Sequence, residues 1–295
     1  MNVIKPFGKF DVLFYYTKLN SFLKDFLKNK EIATKIWIPS SIGFFIRRGS
    51  KDEPLFINEF SNLDDNFFKL RSEMKREDAL SRINKTQAKL WLYFPPNKCI
   101  DFFYACNNEG QGKKIDRIFI DVDRNNLSSD KALQVTKELV EVIKKDDDFN
   151  KLLKFNIKIL WTGSSFHVYL MLNKKVELKF YNDYIAYSKN DSHSSFIKKW
   201  SKKISKKLKI NVSGGHEKLK DIIILDPSGT PSGKLARVPF SLHYIKPANK
   251  NEKSIDGICV PLNEKILDDK YLIKKLKKLT PEQVLKNIDF WKKNL

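Results

Sequence analysis

The sequence predicts an α+β fold, and three observations carry that prediction. Short apolar runs such as IDFFYA, IDRIFIDVD, KILW and IIIL have the length and the β-branched and aromatic content of strands. Residues 133–143 and 197–208 instead repeat their apolar positions every three or four residues, the period of amphipathic helices. Strand, strand, helix, strand, strand, helix, strand is the order in which they follow one another, which predicts a sheet covered by helices on one face, without internal repeats.

Residues 12–30 place Leu19, Phe22, Phe26 and Leu27 at helical spacing. KIWIPSSIGFFIRRGS predicts two short strands broken at Pro39, Ser40 and Ser41, residues that favour turns. From Asn58 to Ala88 the chain is charged, with Asp64, Asp65 and the run Lys75, Arg76, Glu77, Asp78, and predicts one or two surface helices closed by Pro95 and Pro96. IDFFYACNN and IDRIFIDVD read as neighbouring strands joined by the turn Glu109, Gly110, Gln111, Gly112. The next helix is capped by Ser128, Ser129 or Asp130, carries Leu133, Thr136, Val140 and Ile143 on its stripe, and ends in Lys144 and Lys145, which complement the negative end of its dipole. KFNIKILWTGSSFHVYLMLN is a strand pair or one strand bent at Gly163. Residues 196–209 form a helix with Ile197, Trp200, Ile204 and Leu208 on one stripe and seven lysines around the rest, and DIIILD is another buried strand. The C-terminal segment predicts two basic helices divided at Thr280, a cap, and Pro281, in the first turn.

At 295 residues and 41% hydrophobic content the chain can bury one large core or two modest ones. Lys and Arg number 56 against 35 Asp and Glu, a net charge of +21 that makes polyanions, nucleic acid first, the expected partners. Lysine enrichment also follows from an AT-rich genome, so charge alone assigns no site. Three cysteines, Cys99, Cys106 and Cys259, are too few for a disulfide framework or for the four thiolates of an iron–sulfur cluster, which favours a reducing compartment. Lys5, Lys9 and Asp11 interrupt the first apolar residues and no run approaches a span of ~20 apolar residues, so the expectation is a soluble, uncleaved, cytoplasmic and nucleoid-associated protein without a membrane partner.

Four constellations can carry chemistry. Asp121 and Asp123 end an apolar strand two residues apart, which puts both carboxylates on one face, as hard oxygen ligands for Mg²⁺ require. A single pair of this kind also ends many strands in a solvated turn, so it needs a partner. Asp226, at the end of a second apolar strand, completes a three-carboxylate set able to hold two metals; an Asp before Pro227 by itself more often makes an Asx turn, and it is the company of the first pair that points to function. In Trp161–Leu170, Ser165 and His167 share a strand face behind Gly163, where backbone can approach a ligand closely and both side chains can meet triphosphate oxygens. Finally, Lys234, Arg237 and His243 lie in the short segment GKLARVPFSLH, and cations beside carboxylates suit triphosphate binding.

Taken in order, Asp121-x-Asp123, Ser165-x-His167, Asp226 and the segment RVPFSLH resemble the archaeo-eukaryotic primase superfamily, most closely the small catalytic subunit of DNA primase in a compact form. The resemblance spans roughly residues 90–265, with Cys259-Val260-Pro261-Leu262 as the strand after the RVPFSLH segment, and reaches the N-terminal region only vaguely, through Tyr15-Tyr16 and Phe45-Ile46-Arg47-Arg48. It implies an RRM-like antiparallel sheet unit packed with an N-terminal α/β unit. One catalytic domain then covers residues 1–295, with an N-terminal subdomain of about 1–95, an RRM-like catalytic subdomain of about 96–265 and a basic helical tail of about 266–295.

By the same resemblance Asp121, Asp123 and Asp226 are the catalytic and metal-binding residues, for Mg²⁺ or Mn²⁺, and Ser165, His167, Arg237, His243 and Lys234 bind the nucleotide. Ser164-Ser165 stand where a basic residue usually precedes the motif histidine, leaving that phosphate contact missing or supplied by Lys218, Lys220 or Lys234. Residues 124–160 contain neither Cys nor His, so no zinc is expected, and no iron–sulfur cluster. The implied function is a DNA primase that copies single-stranded DNA from nucleoside triphosphates, with the lysine-rich helix and aromatics such as Trp161 supporting the template. A primase large subunit as partner and independent action are both open. The alternatives are a primase-polymerase of a mobile element, defence or repair system, and a non-catalytic nucleic-acid-binding primase subunit.

Overall fold

The structure, a computed structural model, describes residues 11–38, 43–107, 114–188, 195–217, 219–245 and 254–295. Helix α1 (Val12–Leu23), capped by Asp11, leads into β1 (Ile32–Trp37) and β2 (Phe44–Arg47); the break expected at Pro39–Ser41 lies outside the described residues. The charged span folds into α2 (Asp65–Glu73), α3 (Arg76–Ala79) and α4 (Lys85–Tyr93), the last started by a capping box between Asn84 and Gln87. Then come β3 (Ile100–Ala105), β4 (Ile115–Asp123), α5 (Ser129–Lys144), α6 (Asp147–Leu152), β5 (Phe155–Trp161), β6 (Phe166–Val176) and α7 (Leu178–Phe180). Helix α8 (Phe196–Leu208), ended by left-handed Lys209, precedes β7 (Val212–Gly214), β8 (Ile223–Asp226), β9 (Leu235–Arg237), β10 (Leu242–Ile245), β11 (Ser254–Ile258) and β12 (Val260–Leu262). The chain closes with α9 (Leu272–Leu276), α10 (Pro281–Lys286) and α11 (Ile288–Lys292), three short helices where two were expected, with Thr280 the cap and Pro281 at the start of the middle one.

The strands form a six-stranded sheet, β12-β5-β6-β4-β8-β7, a four-stranded sheet, β2-β1-β3-β9, and the ribbon β10-β11. All pairings in the large sheet are antiparallel except β7 with β8. Strands β3 and β4 therefore do not pair, contrary to the sequence expectation, and the turn at residues 109–112 lies outside the described residues. Each strand has a better partner: Phe102 of β3 joins an aromatic cluster with Tyr16, Phe60 and Phe94, while β4 lies between β6 and β8 in the middle of the other sheet. The stretch around Gly163 resolves into the hairpin β5–β6, paired from Phe155–Leu172 to Trp161–Phe166.

Alternation along β4 gives the large sheet two different faces. Ile118, Ile120 and Val122 point one way, and α5 and α8 cover that side, α5 with the buried stripe Val135, Leu139 and Ile143. Arg117, Phe119, Asp121 and Asp123 point the other way. Arg117 donates to the Phe26 carbonyl at 3.1 Å and lies over the Phe26 and Tyr104 rings, so this face packs on the N-terminal unit rather than on solvent. Helices thus cover one face, as expected, and the N-terminal unit covers part of the other.

Candidate active site

Register brings the predicted residues together. Strand β4 is central, with Asp121 opposite His167 of β6 on one side and opposite Asp226 of β8 on the other. Asp123 follows two residues on, on the same face. His167 Nε2 stands 3.7 Å from Asp121 Oδ1, and the imidazole packs edge-on against Phe119 with centroids 4.7 Å apart. The Asp121 side chain is packed among its strand neighbours yet stays 40% exposed. Burial, then the neighbouring Asp123 and Asp226, push its carboxyl up to about 8, against the opposing pull of Arg237.

Two of the carboxylates are also turned back on their own loops. Asp123 Oδ1 accepts from Asn125 N at 3.1 Å and Asp226 Oδ1 accepts from Ser228 N at 2.8 Å, the Asx turn that a residue before Pro227 suits. Among the described residues no three His, Cys, Asp or Glu side chains converge into a metal-binding group. The donor set nonetheless fits a hard divalent cation in its chemistry: three carboxylates in adjacent register, with the Asp121 carboxyl raised by burial first and by the charge of the other two second, a build-up of negative charge that a cation would relieve.

The cationic side comes from the segment RVPFSLH, and its architecture explains the residue types. Arg237 ends β9, paired with Phe103 and lying over that ring at 4.9 Å. Phe240 then adopts a left-handed backbone at φ 69°, held by Tyr15, whose hydroxyl donates to the Phe240 carbonyl at 3.0 Å, and by the bond from Phe240 N to the Cys259 carbonyl. Ser241 is fully buried: its hydroxyl accepts from Phe102 N at 2.9 Å and donates to the Leu242 carbonyl at 3.1 Å. The Tyr16 hydroxyl donates to the Ile100 carbonyl and accepts from Leu242 N. The turn delivers Arg237 and His243 side by side, with Arg237 Nη1 3.3 Å from the Leu242 carbonyl. Tyr15-Tyr16 is thus the clamp of this turn.

Both histidines are neutral rings, His167 buried and His243 half-buried. Burial first and Arg237 second push each down to about 3, Lys35 adding to the effect at His243. Each has a buried Nδ1 with no hydrogen-bond partner, an expense folded proteins accept mainly where a ligand or water completes the set. Gly163, at φ 105°, lets the β5–β6 turn pass against His243: a Cβ there would lie 3.2 Å from the His243 Cβ.

Not every predicted residue joins this group. The Ser165 hydroxyl, expected on phosphate, is buried and donates to the Val122 carbonyl between the two aspartates, because a buried hydroxyl must find a partner; it fixes the hairpin turn to β4. Lys234 is exposed and precedes β9, three residues from Arg237. Lys220 lines a hollow of about 430 Å³ with Asp123, Asn125 and Asn126, while Lys218 lies outside the described residues. Trp161, expected to stack on template, is fully buried edge-on against Phe166. The lysine-rich helix α8 packs against α5 and β7, on the face of the sheet opposite the carboxylates.

Two residues escaped the sequence reading. Asp101, 1% exposed in β3, accepts from Tyr244 N at 3.2 Å and Trp37 Nε1 at 3.4 Å and lies 3.7 Å from Arg237 Nη2. Its signal was an acid inside the apolar run IDFFYA. Arg124, one residue past the Asp pair, donates from Nε to the Ser164 carbonyl at 3.0 Å, where Ser129 Oγ also donates at 2.8 Å, and so pins the turn before His167; no local pattern marked it.

Together the two sheets and their helices make an α+β fold of the kind found in a solved polymerase domain. Among solved structures the chain is similar to the polymerase domain from Mycobacterium tuberculosis Ligase D in complex with DNA, at 13% identity and a TM-score of 0.57, over 95% of this chain and 88% of that one. No protein-family model and no curated protein matches the chain.

Proposed function

We propose that the protein is a template-dependent nucleotidyltransferase that makes short primers on single-stranded DNA from nucleoside triphosphates. The observation that carries this reading is the row His167–Asp121–Asp226 across three adjacent strands, with Asp123 beside it and the charge of Arg237 acting on both Asp121 and His243. The solved structure with the similar fold is itself a polymerase domain in complex with DNA.

In this reading Asp121, Asp123 and Asp226 hold Mg²⁺ or Mn²⁺, which supplies charge neutralisation for an in-line displacement at phosphorus. Arg237 carries a permanent positive charge to the triphosphate, held in place by the Leu242 carbonyl and Asp101. His167 and His243, neutral at physiological pH, offer ring nitrogens as hydrogen-bonding groups rather than charge. Ser165 and Arg124 hold the turn that orients His167. Template bases find an aromatic and basic surface on the face of the small sheet that bears Arg237: Phe103, Lys35, Trp37 and Phe44, with Phe44 47% exposed and Lys35 Nζ 4.0 Å and 4.1 Å from the Trp37 and Phe44 ring centroids.

The test is labelled-nucleotide incorporation on single-stranded DNA with Mg²⁺ or Mn²⁺, comparing the parent with the double variant Asp121→Ala, Asp123→Ala and checking both folds by circular dichroism. Product from the parent alone supports the reading, and ribo- against deoxynucleotide use then separates a replicative primase from a primase-polymerase. A parent that binds single-stranded DNA yet makes no product, with or without an annealed primer, sinks the autonomous enzyme in favour of a binding subunit.

A further inference from the structure

We propose that the free edge of β5 at residues 155–158 receives an extended segment of a partner protein, alternating acidic and apolar residues, as an added strand. Strand β12 pairs with β5 only at Ile159, Leu160 and Trp161, and the chain then leaves the sheet at Asn263. Residues 155–158 have no strand on that flank among the described residues. An open groove of about 730 Å³ runs along it.

The side chains of this edge alternate in chemistry as well as in direction. Phe155 and Ile157 are half-buried and point to the helix side, while Lys154, Asn156 and Lys158 share the other side. A strand laid along the edge would put apolar residues against Phe155 and Ile157 and acidic ones against Lys154 and Lys158, with its backbone completing the ladder. Lys158 is half-buried in this groove and among the described residues no carboxylate pairs with it, so its ammonium is the cation of the edge left for an incoming acid; burial alone lowers its pKa. Lys144, also in the groove, is already paired with Glu264.

A second copy of this chain is a poor occupant, since two molecules of net charge +21 repel. Nucleic acid would use the lysines but leave Phe155, Ile157 and the backbone edge unsatisfied. None of the groove's residues belongs to the carboxylate group, so occupation of this edge does not depend on nucleotidyl transfer.

The experiment uses the full chain and a fluorescent twelve-residue peptide alternating Glu and Val, with a Lys-and-Val peptide and a single-stranded oligonucleotide as comparisons. Anisotropy measures binding and amide hydrogen exchange locates it. The expected result is saturable binding of the acidic peptide with protection of the amides of residues 155–158, an affinity reduced by about tenfold or more in Lys154→Glu, Lys158→Glu, and no binding of the basic peptide. Unchanged melting and unchanged nucleotide incorporation show that the variant is folded. Absent protection, or unchanged affinity in the variant, overturns the proposal and leaves the lysines as guards of a bare sheet edge. An oligonucleotide that protects this edge while the acidic peptide does not bind overturns it in favour of a nucleic-acid site.

Discussion

Asp101 holds Arg237 without reaching it closely, at 3.7 Å. Burial raises its carboxyl pKa, outweighing the pull of Arg237 and Lys35. A carboxyl whose native pKa is raised binds its proton more tightly in the native than in the unfolded chain, so it contributes stability below the unfolded value of about 3.9 and loses that contribution as pH rises through the native value. Asp101→Asn removes the dependence. The melting temperature of the variant minus that of the parent therefore grows between about pH 4 and pH 7 in thermal scans, and a difference that shrinks over that window would contradict the assignment. In nucleotide incorporation the same variant loosens Arg237 and raises the nucleotide KM roughly tenfold with a smaller change in kcat. An equal fall in both kcat and kcat/KM would place Asp101 in the chemical step instead.

At the scale of elements, the site depends on how the β5–β6 turn meets the ribbon β10–β11. Gly163 and Gly257 pass backbone to backbone, and a Cβ on Gly257 would fall 2.5 Å from the Gly163 Cα. Gly257→Ala forces the ribbon away from the turn and carries His243 with it. The expected cost is about 1–3 kcal/mol in urea unfolding, together with a loss of nucleotide incorporation larger than the fraction unfolded explains. Ser241→Ala acts on the same device from the other side: it leaves the buried Phe102 N–H without its acceptor, at an expected cost of about 1–3 kcal/mol. A neutral Ser241→Ala in chemical denaturation would mean that the turn is held by Tyr15 and Tyr16 alone.

Over the whole molecule the net charge of +21 is spread unevenly in use. The exposed lysines Lys202, Lys203 and Lys206 of α8 lie on the side away from the carboxylates, whereas Lys35, Trp37 and Phe44 share the face that bears Arg237. Converting the three α8 lysines to Gln is expected to leave incorporation within about twofold, while Phe44→Ala weakens single-stranded DNA binding about tenfold, the scale of one lost base stack. Filter binding and steady-state assays measure both. The reverse outcome would move the template path to the helical face.

The sequence by itself determined the strands, because IDRIFIDVD and IIIL are apolar beyond what a loop tolerates, and it determined which strand ends carry Asp121, Asp123 and Asp226. It determined the helix starts for the same local reason, a side chain such as Ser128 or Thr280 bonding a free N–H of its own first turn. Tertiary structure decided everything that depends on partners far along the chain. It sent β3 and β4 to different sheets, since strand pairing is settled by which faces bury together and not by adjacency. It buried Trp161 and the Ser165 hydroxyl, put α8 behind the sheet, and set Asp101 behind Arg237. Those placements are invisible to periodicity because a residue's exposure and charge environment come from elements a hundred residues away, whereas its helix or strand state is written in its neighbours.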